Sequence, residues 1–277
     1  MSKGKESTSL VPLNNFDSNI ESLRLDDEIC LRRISSDELK KLRYSNSGVH
    51  SMLWIALTDV KYVLEMSALV QIGGETVILF DHKQPRVSNT ILALRLLKTG
   101  DVTVSCGFLL DQKGRVSGFT LPPLITPSHN PYFLKQAEIE ALKDLRKSLQ
   151  NVEKDKPYLR FPLFQFTRTF DWKFSVDRIV DFMTIFESIV FHNEAKSIEP
   201  AGKVIGISIG MLLGNNQKDR DEMKKMFIKS YSVRNARVHG NVKELKKLQR
   251  KHDIGKLSGS MEDYLRRVLK KLIEEEK

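Results

Sequence analysis

The sequence predicts an α+β N-terminal domain followed by an all-α helical bundle. Three observations carry this division. Up to about residue 130, short runs rich in Val, Ile, Leu and Phe alternate with turn residues and two amphipathic stretches. From about residue 174 onward, apolar residues recur at three-and-four spacing to the end of the chain. Between these regions, LPPLITPSHNPYF places Pro122, Pro123, Pro127 and Pro131 close together, which marks a connection and excludes regular helix. With 277 residues there is room for both parts. The expected boundaries are a flexible, polar lead-in over 1–25, an α+β domain over 26–160 and a helical bundle over 161–277.

Composition narrows the possibilities. An apolar fraction of 40% with 29% charged residues belongs to a chain that folds, not to a disordered one. Cys30 and Cys106 lack CxxC or Cys/His ligand spacing, so neither a disulfide framework nor a zinc site is expected, and a reducing, cytoplasmic setting fits. No metal or cofactor is expected. The opening residues have no signal-peptide core, and the longest apolar run, VIGISIGMLLG, is too short for a membrane span, so no membrane partner is expected. Net charge is +10, and Lys and Arg number 23 against 16 Asp and Glu in residues 166–277. That excess points either to an anionic partner such as RNA or to a solvated surface.

The elements follow in order. EICLRRI reads as a strand, SSDELKKLR as a helix capped by Ser36 or Asp37, DVKYVLEMSALV and ETVILF as strands, and SNTILALRLLKTG as a helix ended by Gly100. VTVSCGFLLDQKGRVSGFTL reads as a hairpin turning at DQKG. FLKQAEIEALKDLRKSLQNVEK is a charged helix. The rings of KPYLRFPLFQFTRTFDWKF are expected to form an interdomain packing surface, not a platform for stacked bases. Four helices then make the bundle: FSVDRIVDFMTIFESIVF capped by Ser175, AGKVIGISIGMLLG, DRDEMKKMFIKSYSVRNARVH closed by Gly240, and SMEDYLRRVLKKLIEEE capped by Ser260.

Three features of these helices bear on function. Gly202, Gly206 and Gly210 form a stripe without side chains, at about 1 kcal/mol of lost helix propensity each, which either packs a neighbouring helix or makes a dimer contact. Arg234 falls on the apolar face of Met223, Met226, Phe227, Tyr231 and Val233, so its guanidinium needs an anion; Glu187, at the edge of the apolar face of the first bundle helix, is the expected partner, and Asp181 lies on that helix's polar face. His239 stands in the last helical turn, where an imidazolium meets the negative end of the helix dipole, and Asn235, four residues earlier, shares its face.

In the context YSVRNARVHG, the pattern Arg, four residues, His resembles the signature of HEPN domains, in particular the ApeA-like group. VDRIVDFMTIFESIV is similar to that family's first helix and IGMLLG with DRDEM to its second helix and turn, so the resemblance covers about residues 160–241. It implies an all-α bundle that dimerises, and a metal-independent endoribonuclease of toxin or antiviral systems acting on tRNA or mRNA. Arg234 and His239 would be catalytic, Asn235 the polar residue beside them, and Glu187 a first-helix partner. The family often carries an arginine in its second helix, where this chain has Gly206 to Gly210. The α+β domain would stand as a variable sensor-like domain ahead of the bundle. The competing reading is a non-catalytic HEPN module that binds RNA or nucleotide, or mediates dimerisation and protein interaction. NVKELKKLQRKHDIGK, directly after the motif, either tracks a phosphate backbone or is a solvated linker.

Overall fold

A computed structural model describes residues 6–44, 57–69, 86–111, 113, 115–120, 130–171, 174–192 and 199–275. The expected strand ETVILF, most of the proline-rich connection and Trp172 lie outside the described residues. The chain divides into two compact units, Met1–Arg146 and Lys147–Lys277, so the division falls earlier than residue 160.

The first unit is built on a six-stranded antiparallel sheet of order β3-β4-β5-β1-β6-β7. Its strands are β1 (Glu6–Leu13), β3 (Ser22–Arg24), β4 (Ile29–Arg33), β5 (Tyr62–Leu69), β6 (Cys106–Leu110) and β7 (Val116–Thr120). The expected lead-in is therefore an interior strand: β1 pairs with β5 along its whole length and with β6 from Thr8 to Leu10. Residues 9–14 are all buried, which is the pattern of a strand covered on both faces and not of one with a wet face. Pro12 is tolerated because the β6 pairing stops at Leu10, leaving one flank of the strand free of ladder bonds there. Asn15, at φ 57°, turns the chain into β2 (Phe16–Ser18), which pairs in parallel with β8 (Tyr132–Leu134). The hairpin β6–β7 forms as the sequence predicts, with Asp111 accepting from the backbone of Lys113 and Arg115 in the turn.

Helix α1 (Ser36–Tyr44) starts one residue before the expected caps act. The Ser35 hydroxyl accepts from the Glu38 N–H at 3.2 Å, and the Glu38 carboxylate accepts from the Ser35 N–H at 3.0 Å, a reciprocal capping box. Helix α2 (Arg86–Leu97) runs before Gly100, whose φ of 142° lets the chain pass against Tyr132. Helix α3 (Ile139–Asp155) crosses the division between the units.

The second unit is helical: α4 (Arg160–Arg168), α5 (Ser175–Val190), α6 (Ala201–Leu213), α7 (Gln217–Val238), α8 (Val242–Lys251) and α9 (Ile254–Glu274). Of the ring-rich stretch, Phe166 and Phe170 are buried edge to face with centroids 5.4 Å apart, whereas Phe161, Phe164 and Phe174 are exposed. On the apolar face of α5, Ile179, Phe182, Met183, Phe186 and Ile189 are buried and Val190 is half-buried, and Phe186 meets Phe227 of α7 at 4.7 Å. Ser175 is not the α5 cap; Phe174 occupies that position with no side-chain cap bond. Helix α9 begins with Asp253 as cap, earlier than Ser260, and α8 forms where a linker was one of two expectations.

The glycine stripe packs inside the unit. A Cβ on Gly202 would lie 2.6 Å from the Tyr231 Cβ, and one on Gly206 would lie 2.8 Å from the Lys224 Cα, so α6 and α7 approach to backbone contact. Arg178 of α5 and Arg266 of α9 both pair with the buried Glu262, and Arg178 also lies over Phe170 and Phe182.

Candidate functional site

Of the residues singled out by sequence, Arg234, Glu187 and Asn235 gather where α5 meets the C-terminal half of α7. Arg234 and Glu187 are joined, Nη2 to Oε2 at 3.3 Å, with side chains 22% and 24% exposed. Both groups are thus shielded enough to attract one another but remain within reach of solvent. The contact is long for a charge-assisted bond, and Arg146 to Asp26 in the first unit, at 2.6 Å, shows the closer geometry available to such a pair. Arg234 also donates from Nη1 to Asn235 Oδ1 at 3.2 Å, which brings the third expected residue into the group.

A fourth member was read from sequence only as a core residue. Tyr231, one turn before Arg234, lies half-buried with its ring 5.5 Å below the guanidinium. Burial first, then hydrogen bonding to Glu187, pushes its phenol above the ordinary range, so the hydroxyl stays protonated and donates to the carboxylate. The signal was present in the sequence: positions 231 and 234 are three apart and share a face. Gly202 completes the arrangement, because a side chain there would occupy the space of the Tyr231 Cβ.

His239 is placed differently. It is the C-cap of α7, with its N–H donating to the Asn235 carbonyl at 3.0 Å, and its imidazole is exposed. Among the described residues no hydrogen bond or ion pair joins it to Arg234. Gly240, at φ 65°, takes the left-handed position after the helix, as the sequence predicts, and turns the chain into α8. Five residues along a helix amount to about 500° of rotation, so an arginine aimed at α5 leaves the histidine directed elsewhere.

Asp181 is half-buried on α5, turned about 240° from Glu187 by its six-residue spacing. Thr184 and Ser188 of the same helix donate back to the Val180 and Ile185 carbonyls. Asp177 of α5 joins that helix to α7 a second time by accepting from Arg237 Nε at 2.8 Å. Nothing in the spacing of either helix marks that pair, since it depends on how the helices cross. Among the described residues no three His, Cys, Asp or Glu side chains gather to hold a metal ion, and no helix is long and apolar enough to cross a membrane.

Among the described residues the arrangement offers a guanidinium balanced by the Glu187 carboxylate, a phenol and an amide beside it, and an imidazole in solvent at the end of the same helix. An arginine held this way can exchange its carboxylate for a phosphate, to which it presents the same planar donors. Comparison with protein-family models, with curated proteins and with solved structures gives no match.

Proposed function

We propose that the helical unit is a metal-independent endoribonuclease of HEPN type, in a toxin or phage-defence setting, with Arg234 and His239 as its catalytic residues. The observation that carries this reading is the long, solvent-reachable Glu187–Arg234 contact, which leaves the guanidinium available to a phosphodiester. Asn235 and Tyr231 orient it, the first as acceptor from Nη1 and the second through Glu187. In the reaction the ribose 2′-oxygen gives up its proton and bonds to phosphorus. The bond from phosphorus to the 5′-oxygen breaks, and that oxygen takes a proton, leaving a 2′,3′-cyclic phosphate and a 5′-hydroxyl. Arg234 stabilises the charge gathering on the phosphorus oxygens, and the exposed His239 serves as acid or base. A two-fold homodimer would supply a second His239 for the opposite proton transfer.

The non-catalytic alternative also has an observation in its favour: among the described residues the His239 ring is joined to neither Arg234 nor Glu187, as a binding or dimerising module would allow. Incubation of tRNA and total RNA with the protein in EDTA separates the two. The nuclease reading expects cyclic-phosphate ends, and losses of about 10²-fold or more in Arg234→Ala and His239→Ala. Full cleavage by Arg234→Ala would remove that residue from the mechanism.

A further inference from the structure

Between Lys224 and Lys251 the chain carries ten Lys and Arg and a single acid, Glu244. Helix α8 displays the later half of this charge. Leu248 is buried and Leu245 half-buried on its protein side, while Lys243, Lys246, Lys247, Arg250 and Lys251 are exposed. These five side chains line one surface depression together with Asn241 and Glu244. Among the described residues, Lys247 alone of the five has a carboxylate partner, Glu244 at 3.5 Å, and that pair is exposed and weak. Arg237, by contrast, is already held by Asp177.

The surface extends beyond one helix. His252, which closes α8, has its ionisation suppressed first by burial and then by the positive charges of Lys229 and Lys251. Lys229 belongs to the middle of α7, which α8 contacts after the Gly240 turn, so the lysine of the longer helix joins the charge of the shorter. His239 stands at the turn where this basic surface begins.

We propose that the exposed face of α8, formed by Lys243, Lys246, Lys247, Arg250 and Lys251, is the docking surface for the phosphate backbone of an RNA strand running past His239. The assignment rests on the ribonuclease reading for the identity of the strand. From Lys243 to Lys251 the helix rises about 12 Å, which spans roughly three phosphates of a stacked strand at about 3.4 Å each. No aromatic residue stands on α8, so no base is stacked there and the contact is indifferent to sequence. An anionic membrane is the poorer partner, because Leu245 and Leu248 are turned to the protein and leave Val242 as the exposed apolar residue of the helix.

The test measures binding of a fluorescent 2′-O-methyl oligouridylate, which lacks the hydroxyl needed for cleavage, as a function of salt. Wild type, Lys246→Ala/Arg250→Ala and Lys113→Ala are compared. Each lost contact to a single strand lowers the log–log salt slope by about 0.7, so the double variant is expected to lose about 7-fold less affinity than wild type between 50 and 200 mM salt. Lys113→Ala, an exposed lysine in the β6–β7 turn, should keep the wild-type slope. Equal slopes in wild type and the double variant, no binding by wild type, or tighter binding to phosphatidylserine vesicles than to RNA would each overturn the assignment. Cleavage of unmodified RNA is scored separately. Binding with the expected slopes but without cleavage supports the docking surface and refutes the nuclease; cleavage with unchanged slopes does the reverse.

Discussion

Substituting alanine into the glycine stripe of α6 should give opposite effects at positions one turn apart. A Cβ at Gly210 would lie 3.4 Å from the nearest atom of α7, the Arg220 Cα, which is ordinary contact, whereas at Gly206 it would lie 2.8 Å from the Lys224 Cα. Alanine at 210 therefore gains up to about 1 kcal/mol of helix propensity with little opposing cost. At 206 the same gain is offset by overpacking of about 1–3 kcal/mol, because the obstacle is backbone and the two helices must move apart. Gly210→Ala should accordingly be as stable as wild type or more so, and Gly206→Ala less stable by up to about 2 kcal/mol. Urea unfolding followed at the helical circular-dichroism band measures both, with an unchanged slope required before midpoints are compared. Gly202→Ala adds a functional readout. Its new Cβ would meet Tyr231 at 2.6 Å, so displacement of that ring should weaken the hydroxyl contact to Glu187 and reduce cleavage at equal folded fraction. Equal or greater stability of Gly206→Ala relative to Gly210→Ala would refute the backbone-contact argument.

Two predictions concern the first unit. The Arg32 guanidinium, helped by the Ser35 N–H and hydroxyl, holds the Glu38 carboxyl down to about 2 despite partial burial. A depressed carboxyl stabilises the fold fully above its unfolded value of about 4.5 and loses that contribution as pH falls toward 2, so the stability gap between wild type and Glu38→Gln should narrow across that range in acid titrations; a constant gap would contradict it. Burial pushes the Cys106 thiol up to about 12, which favours the neutral folded form below the ordinary thiol range and loses this contribution as pH rises through the shifted value. In native protein at mildly alkaline pH, a thiol reagent should therefore modify the half-buried Cys30 and spare Cys106 until unfolding; rapid modification of both would show that β6 opens readily.

Helical periodicity made much of the second unit legible. The buried face of α5, the close packing of the Gly202 stripe and the meeting of Glu187 with Arg234 all follow from which side of a helix each residue occupies. Strand β1 was hidden because it lies between two neighbours with both faces covered. Leu10, Val11 and Leu13 give a short apolar run with no alternation, interrupted by Pro12 and followed by two asparagines, so the segment reads as an unstructured lead-in. The early start of α9 was hidden because Gly255 and Gly259 weaken the helical signal before Ser260, although Leu257 and Met261 are buried at helical spacing.

Helix α8 was illegible for a reason that bears on function. With Leu245 and Leu248 as its apolar contacts to the protein, it offers too short a stripe for periodicity to separate a surface helix from a linker. Its Asn241 side chain caps the first turn by accepting from the Glu244 N–H at 3.1 Å, and Glu244 is the acid that suits that end of the helix. Folding therefore accounts for Asn241, Glu244 and the two leucines. It does not account for Lys243, Lys246, Lys247, Arg250 and Lys251, which repel one another and meet little opposing charge. Charge that the fold does not use, set next to the one candidate histidine on the motif helix, is what an RNA backbone would neutralise.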